Sequence, residues 1–233
     1  MRYRLKAGIF TLRPGFTVHS YNVNNNQVGV AQDFKDTFTR GNKIAICGNG
    51  GSAANAMHIA NDLTYGAGIS SGKGFNIEAL PSNSAVITCL ANDIGYENIF
   101  SEQLRVKATE GDLLIVLSGS GNSKNILNVL KMAKKIKIKS YAILGFSGGK
   151  AKSLANVSLH FKINDMQIAE DTQIIIGHLL MKLLNKILSS PFRAHKASEF
   201  LTCLNSAFQD ELISSNFTFF DSKYLIESDS LKS

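Results

Sequence analysis

The sequence predicts an α/β fold in which a parallel sheet is covered by helices on both faces. Short apolar runs rich in β-branched residues alternate with longer amphipathic stretches from residue 43 to residue 188. No proline falls between Ser82 and Ser190, so no helix-breaking residue interrupts the stretches in that range. Parallel strands need long crossover connections, which helices supply, and strand–helix alternation therefore favours this architecture.

The predicted strands share a length of five to seven residues and an apolar composition, which is typical of strands buried on both faces. They lie at 43–47, 76–80, 112–117, 140–146 and 157–161. Pro81 ends the second of them, and DLLIVL at 112–117 is the clearest buried strand in the chain. A sheet of this kind binds ligands at the carboxyl ends of its strands.

The predicted helices are longer and show an apolar face at helical spacing. They lie at 52–63, 82–93, 96–108, 124–135 and 166–188. Ser52 follows a glycine turn, so we expect it to be the N-cap of the first helix. The last helix, MQIAEDTQIIIGHLLMKLLNKIL, is the longest and most apolar of the five.

Both ends of the chain depart from this alternation. HSYNVNNNQVGV near the start is polar and lacks helical periodicity, and SSPFRAH after Leu188 resembles a linker. Residues 198–213 contain one further candidate helix. We therefore divide the chain into an atypical N-terminal segment (1–35), an α/β domain (36–188) and a C-terminal appendage (189–233) whose role the sequence leaves open.

The composition is that of a globular protein of 233 residues, with 44% hydrophobic and 18% charged residues. No apolar run reaches about 18 residues, so we expect no membrane contact, and no signal-peptide cleavage pattern follows the N-terminus. Cys47, Cys89 and Cys203 show no CxxC spacing, which predicts neither disulfides nor a zinc knuckle and favours a cytoplasmic location. The net charge of +7 is accompanied by no nucleic-acid-binding motif, so we expect no nucleic-acid partner.

Two glycine-rich turns follow buried strands and open helices: GNGGS at 48–52 and SGSGNS at 118–123. Glycine allows a close approach of the backbone, and a helix N-terminus offers free N–H groups to an anion. Neither turn has the lysine of a P-loop or the spacing of a dinucleotide fingerprint. The serine-rich second turn favours the phosphate of a sugar, with an ordinary tight turn as the alternative for each turn taken singly.

Acid–base and metal-ligating residue types occur on the first and last predicted helices. His58 and Asp62 are four residues apart, which places them on one helical face, suited to a metal or to an acid–base pair. Glu170 and His178 are eight residues apart, about 12 Å along a helix, and meet one ligand only if both side chains lean inward. The alternative for His178, which lies in IIIGHLLM, is a hydrogen-bonded core histidine.

Four motifs in this order resemble the sugar isomerase (SIS) domain family, and more narrowly the bacterial phosphoheptose isomerases: CGNGGSAANAMHIANDL, LANDIGYENIFSEQL, GDLLIVLSGSGNSKNIL and EDTQIIIGHLL. The resemblance covers about residues 35–188. It implies a flavodoxin-like three-layer sandwich with a five-stranded parallel sheet. It also implies a homotetramer with active sites between subunits.

The resemblance also implies the residues that contact a phosphorylated sugar. By their positions in the motifs these are Asn49, Gly50, Gly51, Ser52, Asp62, Asn92, Asp93, Ser118, Gly119, Ser120, Ser123 and Glu170. Zinc, one per active site, is implied on a histidine and an acid of the first helix and on two residues of the last helix. Those positions are His58, Asp62, Glu170 and His178.

Several positions differ from the family pattern. The family's catalytic glutamate is Asp62 here, its glutamine ligand is Glu170, and a threonine of the phosphate turn is Gly119. Tyr65 and Gly66 stand where phosphoheptose isomerases often carry an arginine. Asp62 and Glu170 each retain a carboxylate oxygen, which is a ligand that zinc accepts.

The function that the resemblance implies is aldose–ketose isomerisation. Sedoheptulose 7-phosphate would be converted through an enediol to D-glycero-D-manno-heptose 7-phosphate, for heptose, lipopolysaccharide or capsule biosynthesis. Asp62 is the expected base and His178 the expected acid, although the metal-ligand and base roles of Asp62 compete. The alternatives are an isomerase of another phosphosugar and a non-catalytic regulator that binds a sugar phosphate or a protein.

Overall fold

The structure, a computed structural model, describes residues 18–21, 29–69 and 72–189. Its centre is a six-stranded sheet with the strand order β1-β6-β5-β4-β2-β3. The strands are β1 Val18–Tyr21, β2 Lys43–Cys47, β3 Asn76–Ala79, β4 Leu113–Ser118, β5 Lys139–Leu144 and β6 Val157–Phe161. The helices are α1 Gly29–Arg40, α2 Gly51–Thr64, α3 Ser84–Ile94, α4 Ile99–Lys107, α5 Lys124–Lys135, α6 Ala151–Leu154 and α7 Met166–Ser189.

Strands β2 to β6 form the parallel sheet that the sequence predicts, with β2 paired to both β3 and β4. The strands alternate their side chains between two apolar layers, which confirms the three-layer sandwich. Ile44 and Ile46 face the layer built with α1, α2 and α7, whereas Ala45 and Cys47 face the layer built with α4 and α5. Because α2 and α7 cover the same face of the sheet, their polar residues can meet at one site.

The sequence analysis did not predict the sixth strand. β1 pairs antiparallel with β6, in the register Val18↔Phe161 to Tyr21↔Ser158. An edge strand of four residues is held by backbone hydrogen bonds along one side, and it needs no apolar alternation that a sequence would show. The sheet therefore has five parallel strands and one antiparallel edge strand.

The boundary placed at residue 36 falls inside α1. Phe34 of this helix is 2% exposed in the core, and Asp33 accepts a hydrogen bond from the Tyr141 hydroxyl and pairs with Lys139 Nζ at 2.6 Å. Burial, and then the Asp33 carboxylate, raise the pKa of Tyr141 above its usual value. The compact domain thus begins no later than Gly29, and α1 is anchored to β5.

The expected N-cap at Ser52 is wrong. Helix α2 begins at Gly51, and Gly50 is its N-cap with φ 55°, a left-handed conformation that favours glycine. Ser52 lies inside the first turn and is 3% exposed. The N-cap therefore lies two residues earlier than expected, which shortens the turn between β2 and α2.

The candidate helix at 198–213 and the rest of the chain after Ser189 lie outside the described residues. Among the helices that the structure does describe, none has the length and apolarity needed to cross a membrane.

Candidate active site

The side chains of His58, Asp62 and His178 meet where α2 and α7 run side by side. The two Nε2 atoms of His58 and His178 are 2.9 Å apart. Asp62 Oδ2 lies 3.4 Å from His58 Nε2 and 3.5 Å from His178 Nε2. Gly177 makes this approach possible, because a Cβ there would clash with Ile59 of α2. We call His58, Asp62 and His178 the helix-pair cluster.

The chemistry of this cluster is that of a cation or proton site. Two imidazole nitrogens at 2.9 Å would repel each other through their lone pairs unless a proton or a metal ion lies between them. The ligand atoms of the three residues all lie within 4.8 Å of one another. Bond lengths near 2.0–2.1 Å place neighbouring ligands of a tetrahedral zinc about 3.3 Å apart, so the observed distances suit this metal.

Solvent reaches the cluster from one side. The side chains of His58 and His178 are 48% and 46% exposed, whereas that of Asp62 is 17% exposed. Asp62 Oδ1 accepts a long hydrogen bond of 3.5 Å from the neighbouring Asn61. The Asp62 carboxylate is therefore the most buried part of the cluster, and the two imidazoles are its solvent-exposed part.

Glu170 does not join this cluster in the structure, in contrast to the expectation that it is a fourth ligand. Its carboxylate lies against Gly51, where a Cβ would clash with it, at the first turn of α2. Its backbone oxygen accepts a hydrogen bond from Asn55 Nδ2 at 2.9 Å. Because α2 and α7 run in the same direction, the two turns that separate Glu170 from His178 also separate it from His58. Within one chain, three ligands converge.

The serine-rich turn has the geometry of an anion site at the start of α5. Ser118 is 5% exposed, and its Oγ accepts a hydrogen bond from the Gly121 N–H at 3.0 Å. Ser120 Oγ accepts one from the Asn122 N–H at 3.3 Å. Ser123 is the N-cap of α5 and makes no capping hydrogen bond with its side chain. Its hydroxyl thus remains available beside the helix N-terminus.

Met166, the first residue of α7, lies over Gly119 in this turn. A Cβ at position 119 would stand 2.6 Å from Met166 Sδ. The thioether therefore occupies the space that a larger residue at position 119 would need, which accounts for the glycine there.

Asn49 of the first turn is connected to two residues that the sequence analysis missed, Asn125 and Tyr96. Asn49 and Asn125 exchange hydrogen bonds of 2.9 and 2.7 Å, and the Tyr96 hydroxyl donates to Asn49 Oδ1 at 3.0 Å. The sequence shows Asn125 as a polar residue in the first turn of an otherwise apolar helix face. It does not show that Asn125 contacts Asn49, 76 residues away, because the two come together only when β2 pairs with β4 in the sheet.

Asn92 and Asp93 lie at the exposed C-terminal end of α3. Asn92 Nδ2 donates to Asp93 Oδ1 at 2.9 Å, and Cys89 Sγ donates to Asp93 Oδ2 at 3.4 Å. The hydrogen bond to Asp93, followed by its negative charge, raises the pKa of the Cys89 thiol. The pair is oriented by contacts within its own helix.

Comparison with known proteins identifies the family of the chain. The family model for the SIS domain matches residues 24–145, just over half of the chain. The phosphoheptose isomerase of Aliarcobacter butzleri is 38% identical over 154 residues, which cover 66% of this chain and 81% of that protein. The phosphoheptose isomerase of Akkermansia muciniphila is 33% identical over 181 residues, covering 70% of this chain and 95% of that protein.

Solved structures lead to the same group. A phosphoheptose isomerase from Neisseria gonorrhoeae superposes with a TM-score of 0.63 at 28% identity, covering 70% of this chain and 87% of that one. A phosphoheptose isomerase from Francisella tularensis gives a TM-score of 0.64 at 26% identity, with coverages of 72% and 89%. The chain therefore belongs to the SIS domain family, within its phosphoheptose isomerase group.

Proposed function

We propose that the chain catalyses the aldose–ketose isomerisation of sedoheptulose 7-phosphate to D-glycero-D-manno-heptose 7-phosphate. The helix-pair cluster carries this proposal, because it sets a carboxylate against two imidazoles on the same face of the sheet. Its relatives named phosphoheptose isomerase, at 33–38% identity, support the substrate. The product would serve heptose, lipopolysaccharide or capsule biosynthesis.

The reaction moves one carbon-bound proton and one oxygen-bound proton. Asp62 removes a proton from C1 of the ketose, and the C2 carbonyl oxygen gains a proton from His178, which gives the enediol. His178 then takes the O1 proton as the C1 carbonyl forms, while Asp62 gives its proton to C2, which restores both groups. His58 faces the same Asp62 oxygen and holds the second imidazole beside it.

The donor set also fits zinc, which His58, Asp62 and His178 would hold. When bound, the metal would supply Lewis-acid stabilisation of the negative charge that develops on the sugar oxygens. Asp62 has two carboxylate oxygens, and Oδ2 alone faces the imidazoles. The roles of ligand and base therefore fall to different atoms of one side chain, Oδ2 for the metal and Oδ1 for the proton.

The phosphate of the sugar would bind at Ser118, Ser120 and Ser123 and at the N-terminus of α5 behind them. Within one chain this turn lies beside Met166, twelve residues or about 18 Å along α7 from His178, so in the proposed tetramer the phosphate turn of one subunit would serve the helix-pair cluster of another. Free N–H groups and the positive end of the helix dipole favour an anion there. Asn49, Gly50, Gly51 and Ser52 would contact the sugar from the first turn, and Asn92 with Asp93 from the end of α3. Glu170, which lies against Gly51, would bind substrate rather than metal within one chain.

We propose a homotetramer in the cytoplasm. Large apolar side chains are exposed at the end of α2, where Tyr65 is 74% and Ile69 is 64% exposed in the single chain. No residue of α3 is buried, although SAVITCLANDI is largely apolar. Both surfaces support contacts between subunits, and the free thiols of Cys47 and Cys89 suit a reducing compartment.

The two alternatives, another phosphosugar isomerase and a non-catalytic regulator, are not favoured. A regulator does not need a carboxylate held between two imidazoles, and the relatives compared above are named for isomerisation of a phosphoheptose.

Isomerisation in D₂O tests the enediol route. If Asp62 exchanges its proton with solvent, the aldose product carries deuterium at C2, which proton NMR detects as loss of the C2–H signal. Deuterium at C2 would exclude a direct hydride shift from C1 to C2, and a product that forms without any role of Asp62 would contradict its assignment as the base. Failure of the wild-type chain to form any heptose 7-phosphate would refute the proposed function.

A further inference from the structure

The buried amide of Asn125 joins the loops of the site, and the mechanism above does not use it. Asn125 is 1% exposed and lies in the first turn of α5, directly after the phosphate turn. Its Nδ2 donates to Asn49 Oδ1 at 2.7 Å, and Asn49 Nδ2 donates back to Asn125 Oδ1 at 2.9 Å. The hydroxyl of Tyr96 donates a further hydrogen bond to Asn49 Oδ1 at 3.0 Å.

The backbone fixes which way both amides point. The N–H of Ile126 donates to the side chain of Asn125 at 2.9 Å, so the acceptor atom there has to be the amide oxygen. The amide nitrogen of Asn125 then faces Asn49 and requires an oxygen from it. Reversing the Asn49 amide would set oxygen against oxygen and N–H against N–H beside the buried amide of Asn125, and would leave the N–H groups of Asn125 without their acceptor.

This arrangement decides what Asn49 can offer to a ligand. Its carbonyl oxygen accepts two hydrogen bonds, from Asn125 and Tyr96, which occupy both of its lone pairs. One of its two N–H groups donates to Asn125. The N–H group that remains can only donate, so it matches a carbonyl, hydroxyl or phosphate oxygen.

We infer that Asn125 is a positioning residue that fixes Asn49 as a hydrogen-bond donor to an oxygen of the sugar phosphate. Tyr96 reinforces the same orientation from the loop that follows α3. The inference rests on the proposed function for the identity of the ligand. It goes beyond that function by giving Asn49 a defined polarity and by assigning Asn125 and Tyr96 to the site.

A double-mutant cycle tests whether Asn125 acts through Asn49. Asn125→Ala alone should lower kcat/KM for sedoheptulose 7-phosphate about 10-fold, the effect of losing one well-placed hydrogen bond near a buried polar group. In the Asn49→Ala background the same change should alter kcat/KM by no more than about twofold, because no amide remains to be oriented. Losses that multiply in the double variant would overturn the inference.

Val129 provides the matched control. It lies four residues further along the same helix, and its side chain is buried in the apolar core between α5 and the sheet. The effects of Val129→Ala and Asn49→Ala should therefore multiply. Equal non-additivity for Val129 would mean that any damage to α5 mimics the result, and it would count against a specific role of Asn125.

Asn125→Asp separates orientation from packing. Aspartate has nearly the same shape and keeps the acceptor for the Ile126 N–H, and an acid is favourable in the first turn of a helix. It replaces the donor that faces Asn49 Oδ1 by an oxygen, so kcat/KM should fall at least as far as with alanine in a variant that circular dichroism shows to be folded. Activity close to that of the wild type in Asn125→Asp would contradict the inference.

The outcomes distinguish the inference from the function on which it rests. Turnover by the wild type with multiplying losses leaves the isomerase intact and removes the role of Asn125. If the wild type binds sedoheptulose 7-phosphate without turnover, the same cycle is measured on Kd by calorimetry, and non-additivity then supports the inference without the isomerase. A wild type that neither binds nor converts the sugar phosphate overturns both.

Discussion

At the scale of single residues, the proposed chemistry depends on one carboxylate shared by two imidazoles. Asp62 Oδ2 is almost equidistant from the Nε2 atoms of His58 and His178, at 3.4 and 3.5 Å. The short side chain of aspartate reaches both rings because Gly177 lets α7 approach α2 closely. An aspartate at this position is therefore compatible with the proposed acid–base role.

Asp62→Asn should lower kcat by about 100-fold or more, since asparagine keeps the shape but cannot accept the substrate proton. The measurement is steady-state conversion of sedoheptulose 7-phosphate. Glu110→Gln is the matched control, because it neutralises an exposed carboxylate in the loop before β4, outside the helix-pair cluster. Equal activity in the two variants would exclude Asp62 as the base.

Cys89 gives a prediction about pH that does not depend on turnover. The Asp93 carboxylate raises the pKa of Cys89, so at pH 8 less of the thiol is ionised than in a free cysteine. Asp93→Asn should therefore speed alkylation of Cys89 by iodoacetamide severalfold, as followed by mass spectrometry of its peptide. Cys47 is fully buried and should react only on unfolding, which makes it an internal control. An unchanged rate at Cys89 would show that Asp93 does not influence the thiol.

At the scale of elements, the site depends on the packing of α2 against α7. Gly51 accommodates the Glu170 carboxylate at one end of this contact, and Gly177 accommodates Ile59 further along. Small residues at both points allow the two helices to run side by side, which brings His178 to His58. The sequence showed the glycines, but their partners 118 or more residues away are visible only in the fold.

Gly177→Ala should push the helices apart, reduce zinc affinity and lower the free energy of unfolding by about 1–3 kcal/mol, the usual cost of overpacking. Urea unfolding and metal analysis after dialysis measure the two effects. Ile59→Ala removes the side-chain atoms that the new methyl group would strike, so the double variant should be less destabilised than the sum of the single changes. Strict additivity would mean that Gly177 is not needed for this contact.

The elements that the sequence predicted and those that it missed differ for a physical reason. Strands β2, β4 and β5 are buried on both faces, and their apolar runs are visible without a structure. The four residues of β1 lack such a signal, because backbone pairing with β6 holds them. The start of α1 lacks it too, because this helix buries only one face. Local patterns thus identify the centre of a sheet better than its edge.

The same contrast applies to the site. The i, i+4 spacing predicted that His58 and Asp62 share a face, and the resemblance added His178, which the structure brings to them. Glu170 and His178 are separated by eight residues, about 12 Å along a helix, so the spacing already indicated that the two side chains do not easily bind one metal ion. The structure places the Glu170 carboxylate against Gly51, away from His178. Asn125 and Tyr96 were missed, since their contacts with Asn49 cross between loops that are remote in sequence.

At the scale of the whole molecule, the described part of the chain has exposed apolar side chains. Tyr65 and Ile69 are exposed, and no residue of α3 is fully buried, although some of its apolar side chains pack partly against the core. Exposed apolar surface of this kind is better suited to a protein interface than to water. The proposed tetramer would cover such surface, and it would allow Glu170 to meet groups of another subunit.

Light scattering after size-exclusion chromatography should give a mass about four times that of one chain, because the apolar surface is buried by association. Samples at several concentrations serve as the control for weak self-association. A mass equal to one chain, in a preparation with full activity, would contradict both the tetramer and a site shared between subunits.

The most direct test of the central claim is turnover of sedoheptulose 7-phosphate by the purified chain, with and without added zinc, beside His178→Ala. The helix-pair cluster predicts heptose 7-phosphate formation by the wild type and a loss of about 100-fold or more in the variant, at an unchanged melting temperature. Undiminished turnover in His178→Ala would contradict the role of the cluster. No turnover by a folded, zinc-supplemented tetramer would contradict the isomerase itself.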